Sequence, residues 1–352
     1  MRVPQWLYQF RGECTARIPA AKLAIYLAVA ATPAGLANII SDRDIAVLNY
    51  FIRRLLGLIP LLIGISVAVF LILHAIPGDP ARLAAGPDAS EEDIRQISKN
   101  YGLDRPMHVQ YWIYLKNVLR GDFGESFRTQ RPVIEEIRRT LPATIELTSA
   151  AMFIAVLLGV PIGVYSSLHP GSRIDRLVTT LAVLGISMPG FFLGLLLMLF
   201  FSATLGWLPP TGRGTLAHLV LPTLTLGLPY VATFSRLARS NMLEVLSEDY
   251  VRTARAKGLS RGVVIYKHAL INASIPLVTV LGIFYGRLLG GAVIVETLFA
   301  WPGMGRYMID AILMRDIYVV QGTIVVFALS VVVVNLIVDG LYGLLDPRIV
   351  YS

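Results

Sequence analysis

Apolar residues fall in long blocks along this chain, and the polar breaks between them set its plan. A helix needs about 20 mostly apolar residues to cross a bilayer. Six blocks meet that need: Leu55–Ile76, Leu141–Leu168, Leu177–Leu205, Leu216–Leu237, Ala273–Phe299 and Val319–Leu345. At 1.5 Å per residue the first spans about 33 Å. Pro77-Gly78-Asp79-Pro80 stops it sharply. The pattern predicts an all-α integral membrane protein with six transmembrane helices.

Two polar stretches are long. Residues 78–139 form the one sizeable soluble region, with helices expected over Glu91–Tyr101 and Met107–Leu119. Ser90 suits the N-cap of the first, and Gly102 and Gly121 suit helix ends. Tyr111, Trp112 and Tyr114 make either a sticky surface or a face that packs this region onto the spans. The second stretch, Arg239–Asn272, is dense in charge: Arg239, Glu244, Glu248, Asp249, Arg252, Arg255, Lys257, Arg261 and Lys267. Good helix formers fill Leu243–Ala256, Gly258 breaks the run, and Ser260 can cap a second helix over Val263–Leu270. A helix–Gly–helix unit is a shape that fits a groove on a partner.

Charge sets the orientation. Arg53 and Arg54 put the start of the first span in the cytoplasm. Counting spans then places 78–139, Gly206–Thr215 and Ala300–Asp316 outside, and His169–Arg176 and Arg239–Asn272 inside, with both chain ends in the cytoplasm. The count did not use the basic residues of Arg239–Asn272, so their cytoplasmic placement is an independent check. The chain is 55% hydrophobic and 15% charged, with net charge +8. That excess belongs to membrane-flanking loops. No basic helix with interleaved aromatics points to nucleic acid. The single Cys14 excludes an intrachain disulfide framework.

The first 46 residues read differently. Their apolar run Ala21–Ile40 is interrupted by Pro33 and Gly35 and has basic residues on both sides. It is an extra span, an interfacial helix, or sequence upstream of the true start, and no cleavage site marks it as a signal peptide. The chain thus divides into an extension (1–46), a first transmembrane helix with its cytoplasmic lead (47–77), an extracytoplasmic region (78–139) and a five-helix core (140–352).

Enzyme signatures do not occur. There is no phosphate-cradling G-x-x-x-x-G-K-[ST], no H-E-x-x-H and no G-x-S-x-G, and the five histidines show no metal spacing. No catalytic residue and no metal ligand is assigned. Arg287, near the middle of Ala273–Phe299, is the sharpest local oddity. An arginine there costs about 2.5–3.5 kcal/mol on insertion scales, so it needs a partner or a watery cavity. It either lines a translocation path and meets an anionic group such as a carboxylate, or pairs inside the helix bundle. Glu146 and Glu296 near outer ends, and Asp339 near an inner end, read as solvated or snorkelling. Trp207 and Trp301 read as interfacial anchors. Pro161, Pro189, Pro222 and Pro229 suggest kinks. Glycines at 282/286/290, 159/163 and 190/194 read as ridges for close helix packing.

The motifs of the whole chain from Val47 onward form one pattern. Met242-Leu243-Glu244-Val245-Leu246 leads through Asp249-Tyr250-Val251-Arg252-Thr253-Ala254-Arg255-Ala256-Lys257-Gly258 to His268-Ala269-Leu270 and Asn272. Around it stand Ile76-Pro77-Gly78-Asp79-Pro80, Tyr101-Gly102-Leu103-Asp104, Gly121-Asp122-Phe123-Gly124, Glu296-Thr297-Leu298-Phe299, Trp301-Pro302-Gly303-Met304-Gly305 and Asp346-Pro347-Arg348-Ile349. The pattern resembles the permease subunits of ABC importers, in their dipeptide/oligopeptide/nickel branch, and the charged stretch resembles their EAA loop. It departs at Arg252, where the family has glutamate, at Thr253 for alanine, and at Ile271 for proline.

The resemblance implies a type I importer-like permease in a bacterial inner membrane. Glu244, Asp249, Tyr250, Arg252, Ala254, Arg255, Gly258, His268 and Asn272 would form the loop on which ATPase subunits dock, and Arg287 would stand on the path. The implied partners are a second, homologous permease, two ATPases, an extracytoplasmic solute-binding protein and membrane lipid, with no nucleic acid. ATP and Mg would belong to the ATPases, leaving this chain without a cofactor. The implied cargo is a short peptide, with glutathione or a nickel complex as the alternative within the family. An ATP-independent channel or secondary transporter, or a membrane-embedded enzyme or scaffold, are the other classes.

Overall fold

Backbone in lipid must satisfy its own hydrogen bonds, so the apolar blocks wind into helices. The computed structural model describes residues 56–72, 74, 80–85, 89–100 and 102–345. The expectations for 1–46, the first-span lead, Pro77–Asp79, Tyr101 and 346–349 lie outside these residues, as does the side chain of Asp339. In chain order the helices are α1 (Leu56–Ile72), α2 (Pro80–Ala85), α3 (Glu91–Asn100), α4 (Met107–Leu119), α5 (Val133–Leu168) and α6 (Arg173–Ser187). Then come α7 (Gly190–Thr204), α8 (Leu216–Ser247), α9 (Asp249–Ala256), α10 (Val263–Leu298), α11 (Met304–Leu313) and α12 (Ile317–Leu345). The first turns of α10, Val263–Ala269, and the last of α7, Met198–Thr204, are π-wound. No strand occurs among the described residues, only one isolated bridge between Glu125 and Pro132. Residues 58–349 pack as one unit; the other, Met1–Gly57 with Val350–Ser352, lies almost wholly outside the described residues.

Among the described residues four helices are long and apolar enough to cross a bilayer: α5, α8, α10 and, within α12, Ile317–Val338. The span expected over Leu177–Leu205 is not one straight helix. It is α6 and α7, bent by 107° across Met188-Pro189. Pro189 lacks an N–H and disfavours helical backbone before it, and Met188 is extended at φ −81, ψ 127. The prolines inside α5, α8 and α10 do not break their helices. The sixth expected span is α1, whose 17 described residues suffice only at the short limit.

Lipid tails are as apolar as leucine, so close approach and buried polar contacts hold such helices together. At the α5–α8 crossing a Cβ on Gly159 would lie 2.8 Å from Val231 O, and one on Gly163 would overlap Ser235 O. Gly227 of α8 meets Ala151 O in the same way, at 3.0 Å. The core formed there holds Leu147, Ala155, Leu221, Phe234 and Leu288, all almost fully buried. The other expected ridges are only half used. Gly282 and Gly286 face Val338 and Val331 of α12, and Gly194 faces Leu298 and Thr225, but Gly290 and Gly190 meet nothing.

Two boundary residues correct the sequence reading. Glu296 does not snorkel; it is wholly buried. It accepts the Thr144 hydroxyl at 2.6 Å and the Arg306 backbone N–H at 3.0 Å. Trp301 is not an interfacial anchor; it is 1% exposed and donates its indole N–H to Ala143 O at 2.9 Å. Trp207 does stay exposed, and Glu146 pairs at the surface with Arg213.

The polar region packs by its own rules. Ser90 caps α3 reciprocally: the Asp93 N–H donates to its hydroxyl at 3.2 Å and the Ser90 N–H to Asp93 Oδ2 at 3.1 Å. These bonds from Ser90 hold the Asp93 carboxyl below its ordinary range. Of the three α4 aromatics, Tyr111 and Tyr114 pack on α1: the Tyr111 hydroxyl meets Ser66 Oγ at 2.9 Å, and both rings lie against Phe70. Trp112 alone points outward, 67% exposed.

Candidate coupling site

The charged stretch does not fold as a free loop. Helix α8 runs past the expected membrane boundary without a break, so Arg239 to Ser247 are its last turns. Glu248 turns extended (φ −67, ψ 148) and α9 starts at Asp249. The expected helix over Leu243–Ala256 is therefore two helices meeting at a corner. Asp249 in the first turn of α9 and Arg255 in the last complement the helix dipole.

Helix α9 ends at a Schellman cap. The Gly258 N–H donates to Arg255 O at 3.0 Å and the Leu259 N–H to Ala254 O at 3.4 Å. Gly258 sits at φ +76 with open space around it, so glycine is required there by the backbone alone. The Ser260 side chain makes no capping bond; its carbonyl accepts from Val264 N at 3.1 Å instead.

Apolar residues clamp the corner. Val251 and Ala254, three apart on α9, bury against Val264, with Val245 and Leu246 of α8 alongside. Beneath them Met242, Ile265, Ala269 and Ala273 pack on Val164 of α5. Polar bonds close the other side. Asn272 Nδ2 donates to the Tyr250 hydroxyl at 2.9 Å and to His268 O at 2.9 Å, and Tyr250 donates to His268 O at 3.4 Å.

The sequence-marked residues thus sort into three groups. Tyr250, His268 and Asn272 come together, His268 through its main chain. Ala254 is buried and packs. Glu244, Asp249, Arg252 and Arg255 are exposed, and Arg252 reaches only Asp249, at 3.4 Å. Exposed beside these charges are Leu259, Val263 and Tyr266, the last 64% exposed. The unit therefore offers a mixed apolar and basic face on a rigid base, the composition of a protein-docking surface.

The base is tied down further by an ion pair not anticipated from sequence. Arg239 of α8 donates through Nε and a terminal nitrogen to both carboxylate oxygens of Asp175 on α6, at 2.7 and 2.9 Å. Asp175 also accepts from the Ser166 hydroxyl and from Gly171 N at 2.9 Å. Sequence shows the charges but not the pairing. The Val251, Ala254, Val264 set was visible as apolar positions inside a charged run.

Arg287 stands apart from the coupling unit, on an exposed face of α10. It lies over the Phe284 ring at 5.8 Å, and it has no ion pair or hydrogen bond among the described residues. No group of three or more possible metal ligands occurs among them either.

Residues 159–351 match the family described as binding-protein-dependent transport system inner membrane component, and residues 47–148 match the N-terminal part of such membrane components. The glutathione transport system permease protein GsiC of Salmonella typhimurium (strain LT2) is 49% identical over 305 residues, covering 87% of this chain and 100% of that protein. GsiC of Escherichia coli (strain K12) is 48% identical over the same span, with the same coverage. A solved structure of the MetNI methionine ABC transporter in inward-facing conformations superposes with a TM-score of 0.50 at 18% identity, covering 60% of this chain and 96% of that one. The last likeness concerns the fold alone.

Proposed function

This chain belongs to the binding-protein-dependent transport system inner membrane components, and we propose that it forms the translocation path for glutathione and peptides of similar size. It is a permease subunit of an ABC importer, a multi-pass protein of a bacterial inner membrane. What carries the cargo reading is identity of 49% to glutathione permeases along their whole length. Glutathione is itself a short peptide, so this cargo lies within the peptide branch.

In this reading a second permease completes the path, a solute-binding protein delivers cargo on the outer side, and two ATPases dock on the stretch 243–270 from the cytoplasm. The coupling geometry supports that. α8 continues unbroken into the corner and α10 leaves it directly, so a push on the exposed face moves two spanning helices as levers. Lever coupling needs a packed contact with discrete arrangements, and the buried valines supply the rigid hold. Arg287, exposed beside Phe284 and without an ion-pair partner among the described residues, is available to a cargo carboxylate.

The test is ATP-driven uptake in proteoliposomes holding this chain, its second permease, the ATPases and the binding protein. Radiolabelled glutathione should accumulate and compete with short peptides. Uptake of a dipeptide or nickel complex with no response to glutathione would reject the cargo assignment. In the same vesicles Arg287→Ala should lower uptake while the complex still assembles; loss of assembly would give Arg287 a structural role instead.

A further inference from the structure

A cavity lies near the opposite end of α5 from the coupling unit, between α1, α4, the loop at 121–127 and the start of α12. Its volume of about 290 Å³ is close to the lower limit for ligand pockets, roughly 300 Å³. The rings of Phe70, Tyr114, Phe127 and Tyr318 line it beside the carboxylates of Asp122 and Glu125. Among the described residues no lysine or arginine lines it, although the chain carries a net charge of +8.

Asp122 and Glu125 are exposed residues of the cavity wall. Neither Asp122 nor Glu125 joins an ion pair among the described residues. Asp122 Oδ1 accepts the Gly124 N–H at 2.9 Å, which holds the loop in place. The one histidine in the wall, His74, has both ring nitrogens engaged, by Phe70 O at 2.8 Å and Gln110 Oε1 at 3.0 Å. The Tyr114 hydroxyl is closed off from the cavity, so Tyr114 offers it only its ring.

The rings are also fixed. Gly124, at φ +78, lets the Tyr318 ring rest on the loop; a Cβ there would come within 3.0 Å of it. Phe127 meets Tyr318 edge to face at 5.1 Å. An anion would face two carboxylates here, and a neutral apolar group would leave them without a partner of opposite charge. A compact organic cation uses both features: ring faces attract it and the carboxylates pair with it.

We propose that this cavity binds an alkylammonium or guanidinium group, carried either by a free small molecule or by a lysine or arginine side chain of a partner protein. The proposal is independent of the cargo assigned above. The probe is n-butylguanidinium, with n-butylurea as its neutral isostere, titrated by calorimetry into the full transporter in lipid nanodiscs and corrected against empty nanodiscs. Saturable binding of the cation alone is expected, weakened at least ten-fold in the Asp122→Asn/Glu125→Gln double variant. Equal binding of cation and urea by the wild type would overturn the proposal without reference to any variant. So would full-strength cation binding by a folded double variant. A second arm separates the sources: if the cation displaces the solute-binding protein, the natural occupant is a protein side chain, and if it binds without displacement, the occupant is a free small molecule. ATPase rates in the same nanodiscs report the importer activity separately.

Discussion

Arg239 grips both carboxylate oxygens of Asp175 across 64 residues of chain, at 2.7 and 2.9 Å. The pair fastens the short α5–α6 connection to α8 just before α8 enters the coupling unit. Asp175 is 5% exposed at its side chain and Arg239 30%. Breaking a wholly buried pair by removing one partner costs 3–5 kcal/mol.

Arg239→Ala should therefore destabilise the purified complex by about 2 kcal/mol, less than that range because the guanidinium keeps some solvent. Arg239→Lys should recover only part, since an ammonium cannot bind two oxygens side by side. Thermal unfolding of the three proteins in one detergent checks this. Equal midpoints for wild type and Arg239→Ala would show the pair to be without weight.

At Gly258 strain rather than crowding sets the expectation. No atom lies within 4 Å of a built Cβ, yet φ is +76. A left-handed conformation costs an L-residue about 1–2 kcal/mol, least for Asn. Uptake per assembled transporter should fall in the order Gly, Asn, Ala, Val, while membrane insertion stays constant. A flat series would mean that the corner does not transmit force.

Glu296 should tolerate no shortening. Its carboxylate serves Thr144 and the Arg306 N–H, and a Cβ on Gly303 would overlap it. Glu296→Ala and Gly303→Ala should each lower stability by about 3 kcal/mol, one by stranding donors and opening a cavity, the other by overpacking. Expression level and unfolding midpoint in mild detergent are the readouts. Wild-type behaviour of Gly303→Ala would contradict the packing described.

Alkaline pH gives a test of the α1–α4 contact. Burial, and secondly Tyr111, pushes the Tyr114 phenol up to about 12. Unfolded tyrosine ionises near 10, so between about pH 10 and 12 the unfolded chain holds fewer protons and stability falls as pH rises. The two-unit gap corresponds to about 2–3 kcal/mol at most. Tyr114→Phe should remove that share of the alkaline loss while leaving neutral-pH stability little changed. Burial raises Tyr307 as well, chiefly, so a residual alkaline loss is expected in the variant.

The limits of the sequence reading show in particular residues. Spans were legible because twenty apolar residues mark themselves. The corner at Glu248 was not, because no proline or glycine stands there and the chain turns only where Val245 and Leu246 of α8 find Val251 and Ala254 of α9 and Val264 of α10. Gly258 was legible as a break. Glu296 and Trp301 were misplaced because their distance along the chain from a span end says nothing of what packs over them.

The sequence by itself determined where apolar helices would run, which stretch would carry a dense set of exposed charges, and which family the motifs resemble. Those properties follow from local transfer energies and backbone preferences, which add residue by residue. Tertiary structure alone decided that Asp175 meets Arg239, that Glu296 is buried under Thr144, and that five rings and two carboxylates line one cavity. Each depends on how closely two distant backbones approach, and that distance is set by packing at glycines such as Gly159 and Gly163, not by any local pattern.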